Sequence, residues 1–80
     1  MKIFIIGAGQ VGATVVEALH DEHELTVIDL DEERLAALSQ RYDVATIEGN
    51  GASRSVLAAA GITEADLLIC LLYTSDAADE

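Results

Sequence analysis

Ile5-Ile6-Gly7-Ala8-Gly9-Gln10-Val11-Gly12 decides the fold of this chain. The stretch joins the apolar run Lys2-Ile3-Phe4-Ile5-Ile6 to three glycines spaced G-x-G-x-x-G, and then to a segment of helical periodicity. A short run of β-branched and aromatic side chains ended by glycine, without alternation, predicts a strand buried on both faces. From there Val11, Thr14, Val15, Ala18 and Leu19 fall three and four residues apart, which predicts one inward helical face. G-x-G-x-x-G is common by chance, but between a strand and a helix each glycine has a chemical reason. Gly7 allows the tight turn, Gly9 removes a side chain from the path of a pyrophosphate, and Gly12 lets helix and strand pack closely. The free amides of the helix start then meet the negative charge. Gly7, Ala8, Gly9, Gln10, Val11 and Gly12 are therefore the candidate phosphate-binding residues; the blander reading has the glycines only shape a turn.

Working outward, the polar stretch His20-Asp21-Glu22-His23-Glu24 interrupts the helix, and Leu25-Thr26-Val27-Ile28 predicts a second strand closing at Asp29. Asp29 stands twenty residues after Gly9, where a carboxylate can accept both hydroxyls of an adenosine ribose. It would repel a 2′-phosphate, and Leu30 and Asp31 follow it rather than Arg or Lys, so NAD is favoured over NADP; ATP and ADP carry the same ribose. A solvated turn acid is the competing reading of Asp29. Asp31 is expected to cap a second helix whose inward face carries Leu35 and Leu38, with Glu32 and Glu33 at its positive end. Arg34, on that helix, is expected to pair with solvent-facing carboxylates.

Val44-Ala45-Thr46-Ile47 predicts a third strand, and Glu48-Gly49-Asn50-Gly51 a loop. Asn50 could reach the adenine side of the same crevice, or serve only as a turn residue tolerant of positive φ. Ser53 can cap a third helix with Val56, Leu57 and Ala60 inward and Gly61 at its end; Ala65 to about Leu72 predicts a fourth strand. Strands alternating with helices pair in parallel through right-handed crossovers. The expected fold is α/β, a Rossmann-like parallel sheet in the order 3-2-1-4, incomplete for want of its last strands.

The 80 residues leave room for one domain at most, and a chain this short buries roughly 60% of its unfolded surface. Only 4 Lys+Arg stand against 15 Asp+Glu, a formal charge of −11. That excludes a direct hold on nucleic acid or an anionic membrane surface. No apolar run approaches the roughly 20 residues needed to span a bilayer, and no targeting signal opens the chain, so it is expected in the cytoplasm. Cys70 alone offers neither an intrachain disulfide nor a metal set. His20 and His23 lack further zinc ligands and are expected to be solvated polar groups at the helix end. Ser39, Ser53 and Ser55 have no His placed by a catalytic motif.

Met-Lys-Ile-x-Ile-Ile-Gly-Ala-Gly-Gln-Val-Gly, Thr-Val-Ile-Asp-x-Asp-x-Glu-Arg-Leu, Glu-Gly-Asn-Gly and Val-Leu-x-x-Ala-Gly-Ile-x-x-Ala-Asp, spread over Met1 to Ile69, together closely resemble the TrkA family, the nucleotide-binding regulatory subunits of bacterial Trk potassium uptake. The resemblance implies a Rossmann, RCK-type domain that is not an enzyme. It would bind NAD(H), or in some members ATP or ADP, through Gly7 to Gly12 and Asp29. It would assemble into a homo-oligomeric ring on the inner face of the membrane and gate a potassium-transporter subunit. The other function open to such a fold is the cofactor-binding fragment of an NAD-dependent oxidoreductase, since fold alone does not fix function. The resemblance stops at residue 69. Cys70 to Glu80 is similar to the translation of a transposase adapter used in preparing sequencing libraries, so 1–69 is expected to be the domain and 70–80 a non-native tail.

Overall fold

The computed structural model describes residues 1–71. Residues 72–80, which hold most of the stretch expected to be foreign and the end of the expected fourth strand, lie outside them. Four parallel strands, β1 (Lys2–Ile6), β2 (Glu24–Asp29), β3 (Ala45–Glu48) and β4 (Leu67–Cys70), form one sheet in the order β3-β2-β1-β4. Helices α1 (Gln10–Leu19), α2 (Glu32–Arg41) and α3 (Arg54–Ala60) make the crossovers. The α/β class and the 3-2-1-4 order expected from the sequence are both present.

The register is set by β1, which pairs Lys2 to Ile6 with Glu24 to Ile28 on one side and Ile3 to Ile6 with Leu67 to Cys70 on the other. Because side chains alternate, Ile3 and Ile5 share a face with Leu25 and Val27, and α1 and α2 cover that face through Val16, Leu35 and Leu38. All seven are at most 4% exposed and form the core. Phe4, Ile6 and Ile28 are buried as well, so β1 is enclosed on both faces, as its unbroken apolar run predicted.

Asp31 caps α2 by accepting from the amides of Glu33 at 2.9 Å and Arg34 at 3.4 Å. Ser53 caps α3 through Val56 at 3.4 Å, and Gly61 ends it at φ +87°. These expectations hold. The inward face of α1 holds only in part: Val15 and Leu19 pack against the core, but Val11, Thr14 and Ala18 are exposed, and the helix buries Gly12 and Val16 most fully. Contact between Gly12 and the first glycine turn fixes the helix's rotation, and the apolar count alone could not locate it. β4 is shorter than expected because Ile62–Glu64 forms a single 3-10 turn that Ala65 closes before the strand begins.

The expected solvation of His23 is also overturned. Its Nδ1 is buried without a hydrogen-bond partner among the described residues, while the His20 ring packs against Tyr42 at 4.8 Å between ring centroids, with Nδ1 3.5 Å from Asp21.

Candidate functional site

The C-terminal ends of parallel strands in an open α/β sheet present loops and helix starts to a common crevice. Here the turn from β1 into α1 occupies that position. Gly7 has φ +113°, a conformation that L side chains rarely adopt, and its amide donates to the Ile28 carbonyl at 2.8 Å. A Cβ on Gly12 would run into the Gly7 carbonyl oxygen. Both glycines are therefore demanded by the turn itself.

Gly9 is not. Its φ of −74° and ψ of −162° are open to any residue, and a Cβ there would meet nothing closer than an Arg34 guanidinium nitrogen at 3.9 Å. It is the N-cap of α1, and among the described residues no side chain caps the helix, so there the first-turn amides lack the partner that Asp31 supplies to α2. The bare position leaves room for something outside the protein, and the amides and helix dipole favour an anion.

Asp29 faces this turn from the end of β2. One carboxylate oxygen accepts from the Ala8 amide at 2.6 Å and the other from the Asp31 amide at 2.7 Å. The acid therefore pins the glycine turn to the β2–α2 loop, and two oxygens with four lone-pair sites keep acceptor capacity beyond these two bonds. The structure thus brings together Gly7 to Gly12 and Asp29. A cleft of about 330 Å³ is lined by Gly7, Gly9, Gln10, Val11, Gly12 and Asp29, together with Arg34 and Leu71.

Asn50 is placed differently. It lines neither this cleft nor its neighbour, and its side-chain oxygen accepts from the Ala52 amide at 2.8 Å, closing a turn of its own loop. That loop crosses the end of β1 so closely that a Cβ on Gly51 would strike Ile6.

Arg34 was missed as a site residue. Its Nε lies 3.5 Å from Asp31, as sequence reading expected of a surface pair, but the guanidinium also lines the cleft beside Gly9. It borders a second cleft of about 280 Å³ between α1 and α2, floored by Ala13, Ala37 and Leu38 and shared with Arg41. The signal was available: Arg34 is in the first turn of a helix that starts three residues after Asp29, so the crossover carries it back over the glycine turn.

A parallel 3-2-1-4 sheet, a glycine turn feeding a helix above it and an acid ending the second strand define a Rossmann-type α/β domain. Over residues 3–79 the sequence matches the TrkA-N domain, and the chain belongs to that family. It is 46% identical over 77 residues, 95% of its length, to the Trk system potassium uptake protein TrkA of Halomonas elongata. Over the same span it is 39% identical to the protein of that name from Vibrio alginolyticus. It is also 42% identical over 71 residues, 89% of its length, to the Trk system potassium uptake protein trkA homolog 1 of Methanosarcina mazei. The chain spans 17% of the length of each of these relatives.

Proposed function

We propose that this chain is the nucleotide-binding part of a regulatory domain of a potassium uptake system, and that its cleft takes an adenine nucleotide, NAD(H) or ATP/ADP. The observation that carries the reading is Gly9: neither backbone conformation nor packing requires glycine there, and the open space faces uncapped helix amides. A diphosphate suits that place by its charge and its acceptor oxygens. Asp29 receives the adenosine ribose on its free lone pairs, Gln10 and Val11 flank the phosphates, and the Arg34 guanidinium exchanges Asp31 for a phosphate oxygen. Asn50 supports the adenine side only through the turn it closes.

The relatives' names support the assignment to potassium uptake. The parent protein acts without catalysis. The nucleotide shifts a conformational equilibrium that a membrane transporter subunit reads, which requires different affinities in the two states. It does so as a homo-oligomer on the cytoplasmic side of the membrane, held there by its partner; among the described residues no helix is long and apolar enough to cross a bilayer. The division into a native 1–69 and an adapter-derived 70–80 belongs to the same proposal, and sequencing the parent reading frame checks it.

Titration calorimetry with NAD, NADH, ADP and ATP tests the binding. At least one nucleotide is expected to bind the native sequence, and Gly9→Val, which places a branched side chain in the phosphates' path, is expected to abolish the heat. Equal binding by native and Gly9→Val chains would refute the site.

A further inference from the structure

Asp31 carries a charge that its capping role does not require. One carboxylate oxygen, Oδ1, accepts from the amides of Glu33 at 2.9 Å and Arg34 at 3.4 Å, and the other, Oδ2, lies 3.5 Å from Nε of Arg34. A cap needs only an acceptor, and Asn or Ser serves there about as well as Asp. The helix dipole does not require the charge either, because Glu32 and Glu33 already stand in the first turn of α2. Among the described residues the cation paired with Asp31 is Arg34.

That guanidinium also borders the place proposed for the phosphates. A Cβ on Gly9 would come 3.9 Å from its Nη1, and the side chain lines both the cleft over the glycine turn and the groove between α1 and α2. A phosphate at the uncapped amides of α1 would leave Arg34 between two anions, one fixed in the protein and one brought by the ligand. A bond to one weakens the bond to the other. Asp31 cannot follow the guanidinium far, since its amide donates to Asp29 at 2.7 Å and its Oδ1 is held by the helix start. The pair is 58% and 46% exposed, so its hold is weak enough for a phosphate to break.

We infer that Asp31 is a positioning residue whose charge holds the Arg34 guanidinium back from the phosphate position, so that an incoming anion must displace an internal one. The inference rests on the proposed nucleotide site and adds a built-in restraint on its affinity. Removing the charge while keeping the cap releases Arg34 to the cleft. Ligands that carry phosphate then bind more tightly, and a ligand without phosphate is unaffected.

Calorimetric titration of the 80-residue chain with AMP and ADP at low ionic strength, and with adenosine by its competition against ADP, tests this in the native sequence, Asp31→Asn and Asp31→Ser. Both variants keep a capping acceptor, and urea denaturation midpoints near the native one confirm it. ADP is expected to bind each variant about two- to fivefold tighter than the native chain, the scale of an exposed ion pair, with a smaller gain for AMP and none for adenosine. The gain is expected to shrink as salt is added and to vanish in an Arg34→Gln background, through which Asp31 acts. A purely structural role would shift all three ligands together. ADP binding that is unchanged or weaker in both variants would overturn the inference, as would an adenosine gain equal to that of ADP or a gain that survives Arg34→Gln; the nucleotide site would stand in each case. Binding of none of the three by the native chain would remove both the inference and the site beneath it.

Discussion

At the scale of single residues, the three glycines of one motif do different work, and substitution separates them. Gly12→Ala must displace the Gly7 carbonyl, so a loss of about 1–3 kcal/mol of stability is expected, the usual range for overpacking. Gly9→Ala meets no such obstacle and is expected to leave stability unchanged or to raise it by about 0.4–1 kcal/mol through the unfolded chain, while weakening nucleotide binding. Urea denaturation and calorimetry on the two variants check both halves; equal destabilisation would show that Gly9 too is there for packing. Asp29→Ala strips acceptors from the Ala8 and Asp31 amides, and it is expected to lower both stability and nucleotide affinity by about 1–3 kcal/mol. Lys2 offers a pH-dependent contrast. The Glu64 carboxylate bonded to it at 3.1 Å, with Glu24 and Asp66 nearby, raises its ammonium above the ordinary 10.5. The folded-state value exceeds the unfolded one, so this contribution is complete below pH 10.5 and fades as pH rises through the folded value. Glu64→Gln is expected to flatten that alkaline fall in the denaturation midpoint.

At the scale of elements, caps and packing faces make separate contributions. Asp31 satisfies two amides of α2 and places Glu32 and Glu33 in its first turn, so Asp31→Ala is expected to lose about 1 kcal/mol, read from the urea midpoint. Leu35 and Leu38 hold the same helix to the sheet at 4% exposure each, and Leu38→Ala is expected to cost about 2–5 kcal/mol. Against the roughly 5–15 kcal/mol that holds a typical domain folded, the second loss is a large fraction and the first a small one. The helix α1 illustrates what periodicity leaves undetermined. Its sequence carries apolar or small residues on more than one side, and the buried pair is Gly12 and Val16 because the close approach to Gly7 sets the rotation.

At the scale of the whole molecule, β4 is one of the two edges of the sheet among the described residues. It pairs with β1 on one side, and Leu67 and Leu68, on opposite faces, are 44% and 46% exposed. An apolar strand at a sheet edge invites pairing with another chain. The 80-residue chain is therefore expected to be marginally stable and to self-associate, with light scattering that rises with concentration and no cooperative melt above about 50 °C. Leu68→Lys is expected to reduce the scattering by placing charge on that edge; a monomeric chain melting cooperatively above that temperature would contradict this account.

Local rules sufficed for much of this. The glycine spacing, the strand before it, the caps at Asp31 and Ser53 and the acid ending β2 were legible because each depends on a few neighbouring residues and fixed backbone geometry. The parallel order followed from alternating strands and helices, since crossover handedness leaves few arrangements. Only the tertiary structure decided the rotation of α1, the return of Arg34 over Gly9, and the double grip of Asp29 on two loops. Each of these joins residues distant in the chain across a sheet whose spacing and twist are collective, so no window of sequence contains the distance that decides them.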